Sequence, residues 1–187
     1  MIVCFIGHRT IANAEQIKTK LLYTVSTLIA DGADTFLFGS KSQFDSLCWQ
    51  VITELQKQHP NVKRVSYNTP HETAFTSRDE RQRYEQIYLQ IAGRKVNFRE
   101  YDNAIDSQKA MNATKDTYIM RNQDMIDDSD VCVFYYDKDY LPPKRKQSPK
   151  DIADYQPQSG TAVAFAYAKQ KKKRIINVFT EENTYAK

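Results

Sequence analysis

The sequence predicts an α/β fold, a doubly wound and mainly parallel sheet with helices on both faces. Two observations predict it. Five short apolar runs rich in Val, Ile, Phe and Tyr mostly lack period-two alternation, as strands covered on both faces do. The intervals between them place apolar residues at helical spacing. With 187 residues the chain is long enough to bury a sizeable core, and it is read as one domain over 1–187.

The elements follow in order. Ile2–Ile6 comes directly after Met1, with no basic n-region and no long apolar h-region. It reads as the first strand, not as a signal peptide. Ile17, Leu21, Leu22, Val25, Leu28 and Ile29 share one helical face, and Asp31-Gly32 supplies the stop. Thr35–Phe38 is the second strand. Phe44, Leu47, Cys48, Val51, Ile52 and Leu55 repeat the helical pattern, and Pro60 lies beyond its end. Val62–Tyr67 is the third strand. Arg78–Ile91 reads as a strongly charged helix with Tyr84, Ile87, Tyr88 and Ile91 on its apolar side. A weaker strand is expected near Val96-Asn97-Phe98. Then come a helix over Thr117–Asp128, a strand at Val131–Tyr135, a helix over Thr161–Gln170 and a last strand at Ile175–Phe179. Two stretches depart from this rhythm. Asn68–Ser77 is a polar loop. Residues 137–159 form a long segment with Pro142-Pro143, Lys144-Arg145-Lys146 and Pro149, the kind of loop that serves as a lid or a binding loop.

Composition excludes several classes. Only 5 Gly and 6 Pro rule out low-complexity linkers. No apolar run approaches the length of a membrane span, so a soluble cytoplasmic protein is expected. Cys4, Cys48 and Cys132 are odd in number, far apart and set in apolar stretches, which reads as buried free thiols. The net charge of +4 hides an asymmetry. Lys138 to Arg174 contains ten Lys or Arg and three Asp, so that stretch carries +7 and the remainder −3. A uniformly basic nucleic-acid coat is thereby disfavoured.

Chemistry is expected at the carboxyl ends of the strands, where open α/β sheets hold their ligands. Gly7-His8-Arg9 follows the first strand. Gly39-Ser40-Lys41-Ser42, then Phe44-Asp45, follow the second. Tyr136-Asp137 follow the strand at Val131–Tyr135, and Ser159-Gly160-Thr161 open the next helix. Three of the five glycines mark these junctions, where a main chain without Cβ lets N–H groups approach a ligand closely. A helix N-terminus there offers free donors and a positive dipole end to phosphate. Neither G-x-G-x-x-G nor G-x-x-x-x-G-K-[ST] is present. His8 reads as a base, a phosphate donor or a turn-fixing group, and no Ser or Cys nucleophile has an evident partner. No His, Cys or carboxylate spacing fits a metal, and no cofactor is expected. Arg121, with Asn122 beside it, lies on the helix before a strand, on a solvated face or at the crevice. Asp45 stands one turn into its helix, as a cap or as a partner for a ribose hydroxyl.

These blocks resemble the YpsA/YoqJ-like branch of the SLOG superfamily. The resemblance rests on Cys4-Phe5-Ile6-Gly7-His8-Arg9, on Asp31 to Gly39 with Phe44-Asp45, and on Met120 to Asp130. It is completed by Gln158-Ser159-Gly160-Thr161 with Tyr167-Ala168-Lys169 and Ile175 to Val178. It implies a Rossmann-like domain that binds a nucleotide or nucleotide-derived ligand, and a homodimer or higher assembly. Relatives include the Lonely Guy phosphoribohydrolases, DprA DNA-processing proteins and sensors of ADP-ribose-type signals in bacterial defence against phage. In the Lonely Guy enzymes an Arg-Lys-x-x-Met block and a Gly-Gly-x-Gly-Thr-x-x-Glu block form the active site. Arg121 and Met125 match the first, with Asn122 in place of the Lys. Gly160-Thr161 match the second, with Ser159 where other members commonly carry Gly and Ala164 in place of the Glu. Glycosidic cleavage needs a carboxylate to stabilise an oxocarbenium-like centre or to activate water, and alanine does neither.

Three readings stand at this stage. The first is a sensor or sequestering protein for an ADP-ribose-like or cyclic-nucleotide-like ligand, with Arg9 and Arg121 giving charge-assisted hydrogen bonds and the 137–159 segment closing over the site. The second is glycosidic hydrolysis or transfer on nucleoside monophosphates, with Arg121 and Asp45 as candidate catalytic residues. The third, disfavoured, is single-stranded nucleic-acid binding through Lys144–Lys150 and Lys169–Arg174.

Overall fold

Alternate residues of the first strand set the layering. In β1 (Ile2–Gly7), Val3 and Phe5 face one side of the sheet, and Cys4 and Ile6 face the other. Each set meets its own helices. Val3 and Phe5 pack with Ile17, Leu21, Val25 and Leu28 of α1 (Ala14–Ala30) and with Phe44 to Leu55 of α2 (Gln43–Leu55). Cys4 and Ile6 pack with Met125 and Ile126 of α5 (Thr117–Asp127) and with Ala164 and Ala168 of α6 (Gly160–Gln170). Burial on both faces is why the strands read as unbroken apolar runs.

These positions come from a computed structural model, which describes residues 1–39, 41–72, 74–114, 116–142 and 158–180, and the backbone of 183–184. The remaining strands are β2 (Thr35–Phe38), β3 (Lys63–Asn68), β4 (Asn103–Asp106), β5 (Val131–Tyr135), β6 (Arg174–Asn177) and β7 (Asn183–Thr184). Their order is β4-β3-β2-β1-β5-β6-β7. The first six are parallel, and β7 is antiparallel to β6. The order runs outward in one direction from β1 and in the other from β5. The topological switch point therefore lies between β1 and β5, which pair from Val3↔Val131 to Gly7↔Tyr135. The fold is Rossmann-like and doubly wound, as the sequence predicts.

The β4 edge corrects the sequence reading. The strand expected near Val96-Asn97-Phe98 is absent, and β4 lies at Asn103–Asp106 instead. Phe98 is apolar for another reason. It joins Phe75, Tyr84 and Tyr88 in an aromatic cluster with ring centroids 5.3–5.9 Å apart. That cluster holds α3 (Arg78–Ala92) to the body through Tyr84 and Tyr88. Ile87 and Ile91, expected on the same packed side, are exposed, and no residue of α3 is buried. The short α4 (Gln108–Met111), capped by Ser107, has no apolar run to announce it. All three cysteines are buried free thiols, as their apolar contexts predict. Among the described residues no helix is long and apolar enough to cross a membrane.

Candidate functional site

The turn after β1 crosses the switch point and ties its two sides together. His8 is almost fully buried. Its Nε2 accepts a hydrogen bond of 3.0 Å from the Asp137 N–H, just beyond β5. The same Nε2 lies 3.2 Å from the Asp137 carbonyl oxygen, to which it donates in the other tautomer, so the Asp137 main chain meets the ring in either form. Nδ1 is buried and has no partner among the described residues. Burial pulls the imidazole below the usual histidine value, outweighing the opposite influence of Asp137. A histidine depressed on folding gives stability that is complete above the unfolded value of about 6.5. The unfolded chain takes up the proton first as pH falls, so stability declines below that value. Urea midpoints measured from pH 7.5 to 5 are expected to fall further for the native chain than for His8→Gln. Equal slopes would show that His8 is not held neutral.

Gly39 ends β2 between two ion pairs. On one side, Asp45 Oδ1 accepts from the Gly39 N–H at 3.4 Å, while Asp45 Oδ2 pairs with the Arg99 guanidinium. Arg99 also donates to Ser46 Oγ. Asp45 is buried, and Ser42 caps α2 instead, its Oγ accepting from the Asp45 N–H at 3.0 Å. The carboxylate proposed as cap or ribose partner is thus engaged in holding Gly39 and Arg99. On the other side, the Arg121 side chain lies against Gly39. A Cβ placed there would sit 2.5 Å from Arg121 Nε and 2.6 Å from Met125 Sδ. Arg121 is 1% exposed, so the solvated-face reading of this residue does not hold. Its Nη1 donates to Glu72 Oε2 at 2.8 Å, and Glu72 also accepts from Thr69 N–H and Oγ. Arg121 Nε is buried without a partner among the described residues, and Nη2 makes only a 3.4 Å bond to Asn122 Oδ1.

The α6 N-terminus completes the edge. Ser159 is its cap, with Oγ accepting from the Ala162 N–H at 3.1 Å. The N–H groups of Gly160 and Thr161 precede the first intrahelical bond and are left to outside partners. Gly160 is exposed, and a Cβ there would meet nothing within 4 Å. Thr161 and Ala164 are buried. Tyr136 is half-buried, its main chain bonded on both sides to the Asn177 side chain.

The predicted residues therefore divide by role. Gly7, Phe44 and Asp45 shape the edge from within. Phe44 is fully buried, stacked on Tyr135 at 5.7 Å and pressed against Gly7, so it meets no solvent. Arg9 is exposed, and its carbonyl accepts from the Gln43 N–H. Asn122 is half-buried beside Arg121. Ser40 and residues 143–157 of the long loop lie outside the described residues. Glu72 and Arg99 come to the edge without a sequence signal, because both sit in polar stretches whose path spacing does not reveal. The only pointer to them is that each buried charge, Arg121 and Asp45, requires an opposite partner. Among the described residues no group of His, Cys, Asp and Glu is placed to hold a metal ion.

The model of the YspA SLOG family matches residues 6–171 of the chain. No curated protein matches it.

Proposed function

The chain belongs to the YspA SLOG family, and from that premise we propose that it binds a nucleotide or nucleotide-derived phosphate ligand at the switch-point edge, as a sensor or sequestering protein. The observation that carries this reading is the Arg121 guanidinium, buried beside Gly39 with its Nε unpaired. A buried N–H without an acceptor is costly and marks a place where an acceptor is expected. Arginine offers phosphate a forked, charge-assisted contact. The open α6 N-terminus adds uncommitted main-chain donors and a favourable dipole. The ligand class we propose, ADP-ribose-like or cyclic-nucleotide-like, rests on the resemblance to SLOG relatives. Calorimetry and thermal shift against such ligands and mononucleotides are expected to show saturable binding that Arg121→Met abolishes. Mass spectrometry of the copurifying small molecule would identify the natural ligand. Absence of binding across that panel would sink the reading.

A second reading, glycosidic hydrolysis of a nucleoside monophosphate, gains from one observation. Ala164 lacks a carboxylate, yet Glu72 places one 2.8 Å from Arg121. Release of free base from a nucleotide panel, lost in Glu72→Gln, would favour turnover over binding. The nucleic-acid reading gains nothing comparable. Of its cations, Lys169 lies over the Phe165 ring, Lys171 pairs with Asp127, and Lys173 donates to the Asp127 and Ser129 carbonyls. A homodimer or larger assembly in the cytoplasm is the setting we propose for the binding protein.

A further inference from the structure

Four rings form a series across the switch point, two stacked pairs joined by a tilted contact. Phe165 of α6 stacks on Tyr136 at 4.3 Å and 22°. Tyr136 lies 5.9 Å and 37° from His8. His8 in turn stacks on Tyr140 at 4.0 Å and 25°. The two ends differ. At the Phe165 end the Lys169 ammonium sits 4.8 Å from the ring centroid, a cation on the terminal ring. At the other end Tyr140 is half-buried, and His8 is its only ring neighbour among the described residues.

We infer that Tyr140, backed by His8, is the stacking platform for the aromatic base of the nucleotide ligand. The inference rests on the phosphate-binding reading above and assigns the ligand's other end. Three features carry it. The stack ends in a tyrosine face at the crevice between β1 and β5, where the fold places its ligand. Each interior ring already has two aromatic neighbours in the series, so Tyr140 is where one more flat ring adds to it. The imidazole beneath is 2% exposed and carries Nδ1, a polar atom with no partner among the described residues at this end of the stack. A core packed for stability alone has no reason to combine a half-buried tyrosine ring at the end of the series with an orphan nitrogen. Every base has a π-face, so the platform selects for a base without fixing which one.

The test compares ligands that share phosphate and sugar but differ in the base. AMP and ADP-ribose are titrated beside ribose 5-phosphate. The native chain is expected to prefer AMP over ribose 5-phosphate by at least tenfold. Tyr140→Ala is expected to weaken AMP and ADP-ribose by about 5- to 150-fold, the range found for removal of a base-stacking ring. Its ribose 5-phosphate affinity should stay within about twofold. Tyr140→Phe keeps the ring face and should retain the preference, whereas Tyr140→Leu, of similar bulk, should lose it. An equal loss for all three ligands in Tyr140→Ala, or no loss, overturns the platform. So does native binding of ribose 5-phosphate with no preference for AMP, which leaves the phosphate reading standing. Binding of none of the ligands removes both.

Discussion

Glu72→Ala is expected to destabilise the protein by about 3–5 kcal/mol, the loss that follows when one partner of a buried ion pair is removed. Arg121 is 1% exposed, and Glu72 is the carboxylate at its guanidinium. Without Glu72, a full charge remains buried against Gly39 without its carboxylate partner. The same truncation releases the Thr69 N–H and hydroxyl that Glu72 holds, opening the turn after β3. Urea unfolding of the native chain, Glu72→Ala, Arg121→Met and the pair Arg121→Met/Glu72→Leu forms a double-mutant cycle. The paired variant is expected to be far closer to the native chain than Glu72→Ala is, because it removes both charges together. That result would also separate stability from binding, since the paired variant folds but lacks the cation for phosphate. If Glu72→Ala cost less than about 1 kcal/mol, the range of exposed pairs, the pair would be solvated and the site shallower than its burial indicates.

The layers of the fold were legible because burial on two faces leaves a direct trace. Val3, Phe5, Cys4 and Ile6 are all apolar because each faces a helix layer, and the same holds for β2 and β5. The edge strand β4 carries no such trace. Asn103, Ile105 and Asp106 are exposed, so nothing distinguishes that segment from a loop. Phe98 misled for the complementary reason, since its apolar character serves a local aromatic cluster under α3. At the candidate site, strand-end rules lead to Gly7, His8, Gly39 and Ser159 at this edge because topology fixes where strands end. They did not find Glu72 or Arg99. Those residues reach Arg121 and Asp45 across 49 and 54 positions of sequence, and long-range charge pairing leaves no local periodicity. Arg121 itself illustrates the limit. Its helical spacing is compatible with a solvated face or a buried one, and only the fold shows that α5 turns it inward against Gly39.

Gly7→Ala is expected to cost about 3 kcal/mol, at the upper end of the range for overpacking a closed core. The reason is steric alone, because Gly7 does not have the positive φ of Gly32 or Gly93. A Cβ at position 7 would lie 2.4 Å from Phe44 Cδ1, 2.6 Å from Cγ and 2.8 Å from Cβ. A ring tip can rotate away, but Phe44 Cβ is fixed to the first turn of α2, and its ring is buried against Tyr135. Relief therefore requires α2 to move off β1. The next residue of that turn is Asp45, which holds the Gly39 N–H and Arg99, so ligand affinity should fall along with stability. Phe44→Leu in the Gly7→Ala background is expected to recover part of the loss, as measured by urea midpoint. Gly160→Ala is the internal control. Nothing lies within 4 Å of a Cβ there, and alanine is the better helix former, so stability should hold or rise slightly. If both substitutions were equally mild, close packing of α2 on Gly7 would not be what positions Asp45. If Gly160→Ala left stability intact but weakened phosphate binding, the glycine at the α6 N-terminus would serve ligand approach, a role quite different from that of Gly7.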